Sequence, residues 1–180
     1  MEFRSRPRFL GLYEWMQSIV MTFLVVLFLL TFVGQTMGVQ QQSMSPTLHE
    51  GDRMIVRSIL YTPRRGDVVI FAKQNFENGA PLVKRVIALA GDLVYIDART
   101  GTVYVNHIAL DEPYVSGPTY LLGTQTYPHT VPEGHVFVIG DNRNASKDSR
   151  HLEIGPVDTR EILGQVVAII LPLGRAEILS

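Results

Sequence analysis

From Ile19 to Val33 the chain is almost uninterruptedly apolar. With Trp15, Met16 and the stretch 34–39 the run reaches roughly 20 residues, about one bilayer crossing. No polar stripe at helical spacing interrupts it, so the pattern predicts a transmembrane helix, placed at 13–37, and not a helix packed on a soluble core. Beyond it, short runs rich in Val, Ile, Tyr and Phe are separated by Gly, Pro, Asn and Asp, the punctuation of strands and turns. Strands are expected at 53–57, 67–72, 82–90, 93–97, 102–105, 135–139 and 163–171. Ala98-Arg99-Thr100-Gly101 sits between two β-prone runs as a hairpin connection, and Val131-Pro132-Glu133-Gly134 as a turn into 135–139. The apolar stretch 166–173 is too short to span a bilayer and meets Pro172, which makes it a core strand. The expected fold class is mainly β: a single N-terminal transmembrane helix followed by an antiparallel β-rich domain over 38–180.

Charge gives the helix an orientation. Arg4, Arg6 and Arg8 precede the apolar run and the next basic residue after it is Arg53, so the positive-inside rule places residues 1–12 in the cytoplasm and 38–180 outside. Tyr13 and Trp15 suit the headgroup zone. A cleavable export signal also begins basic and continues apolar, but Gly34-Gln35-Thr36-Met37-Gly38-Val39-Gln40 offers no Ala-x-Ala site. A length of 180 residues has room for one anchored domain. The 16 Lys and Arg nearly balance the 17 Asp and Glu, with no basic run interleaved with aromatics, so no nucleic-acid partner is expected. The absence of cysteine removes thiol nucleophiles, Cys-based zinc sites and disulfides.

Three islands hold residue types that are costly to place without a reason: Ser43-Met44-Ser45-Pro46-Thr47-Leu48, Leu82-Val83-Lys84-Arg85-Val86-Ile87, and the segment from Gly140 to Arg150. Taken one at a time, each is ambiguous. A serine before a proline serves a turn, and a Lys-Arg pair in a strand can reach solvent. Strand alternation puts Lys84 with Leu82 and Val86, and Arg85 with Val83 and Ile87, so one of the two cations faces apolar neighbours. A desolvated lysine has a lowered pKa, and a neutral amine can take a proton from a serine hydroxyl. Arginine cannot.

Together the islands resemble the type I signal peptidase family, a family of Ser/Lys serine proteases. Ser43-Met44-Ser45-Pro46-Thr47 is similar to its nucleophile box, Lys84-Arg85 to its general-base box, and Gly140-Asp141-Asn142-Arg143 through Asp148-Ser149-Arg150 to its most recognisable signature. Arg65-Gly66-Asp67-Val68-Val69 resembles a fourth box, and the arrangement is that of the compact Gram-positive forms. The resemblance implies a membrane-bound endopeptidase that removes signal peptides from exported preproteins after Ala-x-Ala sites, with the lipid bilayer as its other partner and no cofactor or metal. It implies Ser43 as nucleophile, Lys84 as general base, and Ser146 as a hydroxyl orienting the amine. Asp148 and Arg150 would hold that loop by an ion pair, with Asp141 and Arg143 as structural neighbours, and Val39, Met44, Leu48, Leu82 and Val83 would line shallow pockets. The Ser43 N–H would serve the oxyanion. Gln41 stands where relatives carry a small hydroxyl residue or glycine, which leaves the second donor open, and Leu89-Ala90-Gly91-Asp92 lacks a proline that many relatives carry. Oligomeric state is not legible.

Other chemistries have less to stand on. His49, His107, His129, His135 and His151 sit in no recognisable triad context. There is no H-E-x-x-H, and Arg143 and Ala145 fall where a calcium loop needs oxygen ligands. A non-catalytic anchored β domain that binds exported chains, and a self-cleaving repressor of Ser/Lys type, are the alternatives. The anchor and the short N-terminus argue against the second.

Overall fold

The structure, a computed structural model, describes residues 8–32, 35–38, 42–59 and 61–179. The chain divides into two compact units, Met1–Gln35 and Thr36–Ser180. The first holds helix α1, Arg8–Phe32. The described side chains of its stretch 11–26 are all exposed, Trp15, Phe23 and Leu24 among them. Among the described residues no helix is long and apolar enough to cross a membrane, so the span expected at 13–37 is not shown here.

The second unit is antiparallel β structure. Its strands are β1 (Gln35–Gly38), β2 (Arg53–Arg57), β3 (Val68–Ala72), β4 (Pro81–Ala88), β5 (Leu93–Asp97), β6 (Thr102–Val105), β7 (Ile108–Ala109), β8 (His129–Thr130), β9 (His135–Ile139), β10 (Val157–Asp158), β11 (Ile162–Leu171) and β12 (Glu177–Ile178). A large sheet runs β1-β2-β11-β3-β4-β9-β10 with β12 paired to β11, and a small one runs β7-β6-β5-β8. All seven expected strands are present. Their ends differ where side chains intervene. The carboxylate of Asp67 accepts from Tyr61, Gln165 and the Arg64 N–H, closing a turn one residue before β3. Asp92 caps the Leu89 N–H at 2.8 Å and ends β4 two residues early.

β11 lies between β2 and β3, which confirms 163–171 as a strand. Gly164 permits that closeness: a Cβ there would strike the Val56 side chain and the Arg57 carbonyl. β3 is buried on both faces because alternate residues enter different apolar clusters. Val68 and Ile70 join Met44, Leu48 and Val166, while Val69 and Phe71 join Leu82, Val86 and Ile154. A third cluster seats the small sheet, through Val94, Ile96 and Val103, on Ile87 of β4 and Phe137 of β9. β4 touches all three clusters, and this fixes the strand that carries Lys84.

Candidate active site

Lys84 stands opposite Val69 on β4, on the face that sends Leu82 and Val86 into the core. Its side chain is 1% exposed. The amine donates to the Ser43 hydroxyl at 2.7 Å and to its neighbour's carbonyl, Val83 O, at 2.9 Å. Ser43 begins a tight turn closed by Ser45 N–H to Gln42 O and Leu48 N–H to Met44 O. Met44 and Leu48 are buried in the same apolar cluster, so two hydrophobic plugs anchor the turn and fix where the hydroxyl points. Burial pushes the Lys84 amine down from 10.5 to about 8. The carboxylates of Asp148, Glu77 and Asp141 oppose the shift and Arg150 reinforces it.

The loop after β9 closes over this pair. Gly140 is the seam, since a Cβ on it would collide with Ser146 Oγ and the Ser43 carbonyl. Beside it, the Asn142 N–H donates to Ser43 O at 3.0 Å. The Ser146 hydroxyl spends its one proton on Asp148 Oδ2 at 2.6 Å, so it can face an amine only as an acceptor. Arg150 grips Asp148 with two nitrogens at 2.7 and 2.8 Å, and the Gly140 N–H adds a bond at 3.0 Å. Burial pushes the Asp148 carboxyl up, but Arg150 and the N–H donors prevail and hold it below the usual carboxylate range.

The structure buries both cations of the Lys-Arg pair. Arg85, 7% exposed, makes a two-pronged bond to Asp141 at 2.9 and 2.7 Å and reaches Gly66 O at 2.8 Å. Thr47, in the Ser43 turn, donates to the same carboxylate at 2.5 Å. Asp141 therefore ties the nucleophile turn to the Lys84 strand, while Arg143 pairs instead with Glu112. Sequence reasoning missed Glu112 and Thr119, which also binds Arg143, and Arg175. Arg175 donates to Thr47 O at 3.2 Å and pairs with Asp52. These residues lie in segments without periodicity, where no local signal marks them.

Of the expected pocket residues, Met44, Leu48 and Leu82 are packed into the core and Val83 is half-buried. Val39, like Gln41, lies outside the described residues. On β4, Arg85, Val86 and Ala88 are paired with β9, whereas positions 81–84 pair with β3 alone among the described residues. Among the described residues no strand pairs with the other edge of 82–84. Among the histidines, His49 is exposed and His135 Nδ1 meets its near neighbour's carbonyl, Glu133 O. Among the described residues no cluster of three His, Asp or Glu is placed to hold a metal.

A family model described as signal peptidase, peptidase S26, matches residues 12–171. Signal peptidase I of Bacillus licheniformis is 34% identical over 172 residues, covering 90% of each chain. Signal peptidase IB of Staphylococcus aureus is 33% identical over 173 residues, 86% of this chain and 87% of its own. A crystal structure of a signal peptidase I from Enterococcus faecalis V583 shares 32% identity and covers 59% of this chain and 97% of its own, with a TM-score of 0.46. This chain belongs to the signal peptidase family, peptidase S26, and is a hydrolase of the serine protease class.

Proposed function

We propose that this chain is a membrane-anchored type I signal peptidase, which cleaves signal peptides from exported preproteins after Ala-x-Ala sites with Ser43 as nucleophile and Lys84 as general base. The observation that carries this reading is the 2.7 Å contact between the Ser43 hydroxyl and a buried amine whose pKa is depressed to about 8. A neutral amine takes the hydroxyl proton as Ser43 Oγ attacks the scissile carbonyl carbon. The Ser43 N–H stabilises the developing oxyanion. The resulting ammonium gives its proton to the leaving amine as the C–N bond breaks, and the same lysine then activates the water that releases the acyl group from Ser43. In the structure the amine bonds Ser43 Oγ and Val83 O; Ser146, its own proton engaged by Asp148, has a lone pair free to accept from the amine and orient it during the reaction.

The substrate adds as an extended strand along the edge of 82–84 that no described strand pairs, where backbone hydrogen bonds set register. Val83 reaches the surface there against Met44 and Leu48, Leu82 turns to the other face of the strand, and Val39 is the further pocket residue. Anchoring rests on the uncharged run 19–33 behind Arg4, Arg6 and Arg8, and on a helix whose apolar side chains are exposed over 11–26, a surface suited to lipid. The N-terminus is cytoplasmic and the peptidase domain extracytoplasmic. The test is cleavage of a synthetic Ala-x-Ala precursor by the detergent-solubilised enzyme. No cleavage by a folded sample, or cleavage unchanged by Ser43→Ala, refutes the reading.

A further inference from the structure

The connection between β7 and β8, residues 110–128, contains no strand, yet it follows the loop 140–150 along most of its length. Glu112 takes both terminal nitrogens of Arg143 at 2.7 and 2.5 Å, and Thr119 takes a further bond at 2.9 Å. Asn144 binds Pro118 O and the N–H groups of Tyr120 and Leu121, each at 3.1 Å. Arg150 donates to Leu121 O at 2.6 Å, and its carbonyl accepts from the Thr124 and Gln125 N–H groups at 2.9 Å. The segment is a strap over the loop that holds Ser146 and Asp148.

One side chain joins the strap to the Lys84 strand as well. The Tyr114 ring lies 4.0 Å from the Arg85 guanidinium and 5.9 Å from that of Arg143. Its hydroxyl donates to Glu112 at 3.0 Å. Both guanidinium groups are buried, so a single ring within 6 Å of both, with Asp141 and Glu112 as their carboxylate partners, ties two cations of different segments together in a poorly solvated space.

We propose that Tyr114 and Glu112 are positioning residues, which lock the loop carrying Ser146 and Asp148 to the strand carrying Lys84 and so keep the lysine amine aimed and dry. This rests on the reading of Ser43 and Lys84 as the catalytic pair. A strap that only stabilised the fold would lower the melting temperature and leave the turnover of folded enzyme alone. A positioning strap changes turnover itself, and its loosening admits water to Lys84, whose charged surroundings are Asp148, Glu77, Arg150 and Asp141. Rehydration relieves the burial that depresses the amine, so the midpoint of the pH profile moves up.

The experiment measures kcat and KM for a precursor peptide across pH with the full-length enzyme in detergent, and circular dichroism to confirm folding. Tyr114→Leu is expected to lower kcat ~10- to 100-fold, the scale of a small misplacement of reacting groups, with KM within about twofold and the midpoint raised. Tyr114→Phe keeps the ring beside both guanidiniums and recovers most of kcat. A folded Tyr114→Leu enzyme with wild-type kcat and midpoint overturns the proposal, as does a Tyr114→Phe loss as large as that of Tyr114→Leu. If Tyr114→Leu fails to fold, Glu112→Gln takes its place, and a folded Glu112→Gln enzyme with unchanged kcat and midpoint overturns it equally. Ser43→Ala is run in parallel. Activity in that variant refutes the catalytic pair, whereas an inactive Ser43→Ala beside a wild-type-like Tyr114→Leu refutes the strap alone.

Discussion

Ser43 and Lys84, separated by 41 positions in the chain, meet side chain to side chain at 2.7 Å in a buried contact. The amine sits there because β4 is packed into apolar clusters that leave the ammonium poorly solvated, and its pKa falls to about 8 in consequence. Activity that needs the neutral amine therefore rises with pH through about 8, well below the 10.5 of a free lysine. Lys84→Arg keeps charge and stem but cannot release its proton, so it is expected to be nearly inactive at every pH. A pH profile of kcat/KM for both proteins checks this, and near wild-type activity in a folded Lys84→Arg enzyme would remove the lysine from the mechanism.

The same shift has a stability consequence. Below about 8 lysine is protonated in both the folded and the unfolded chain, and the buried ammonium costs the fold ~3 kcal/mol, the worth of a fall from 10.5 to about 8. Between those two values the unfolded chain binds a proton that the folded one does not, so stability rises with pH; above 10.5 the cost is gone. Lys84→Met is expected to be inactive yet more stable than the wild type at pH 7, with the gap closing toward pH 10.5. Urea unfolding of both proteins across pH measures the difference, and a gap independent of pH would contradict the buried, depressed lysine.

Ser43→Ala removes one hydroxyl from the turn that Met44 and Leu48 anchor, and should abolish cleavage without unfolding the domain. Ser45→Ala, two places on, should retain most of kcat/KM. Equal losses in the two variants would reassign the nucleophile.

Asp148 and Arg150 are both fully buried. Asp148→Asn leaves the guanidinium without its counter-charge and should cost ~3 to 5 kcal/mol, the usual effect of breaking a buried pair from one side. The wild-type contribution holds above the ordinary carboxylate range, because the folded pKa lies below 3.8, and it fades as pH falls through the folded value. Chemical denaturation at pH 7 tests the first statement. A loss below ~1 kcal/mol, the scale of a surface pair, would show the pair to be solvated.

Topology is open to a direct measurement. Protease added outside intact protoplasts should digest the domain beyond Gly38 while an epitope before Arg8 stays protected. A domain shielded until the membrane is broken would reverse the proposed orientation.

Residue order alone marked seven of the strands and drew attention to the three islands. A β-prone run between turn residues is a local signal, so Arg53–Arg57, Leu93–Asp97, Thr102–Val105 and His135–Ile139 were legible to the residue, and strand alternation placed Lys84 with Leu82 and Val86. Strands of two residues, such as β7 and β10, are too short to show a period. Pairing across the chain is a different matter. That Asp141 would bind Arg85, that Arg143 would turn to Glu112, and that 110–128 would strap the loop 140–150 depends on which charges the packed sheets bring within 3 Å of one another. Charge attracts at any separation along the chain, and only the tertiary fold decides which partners share one dry space.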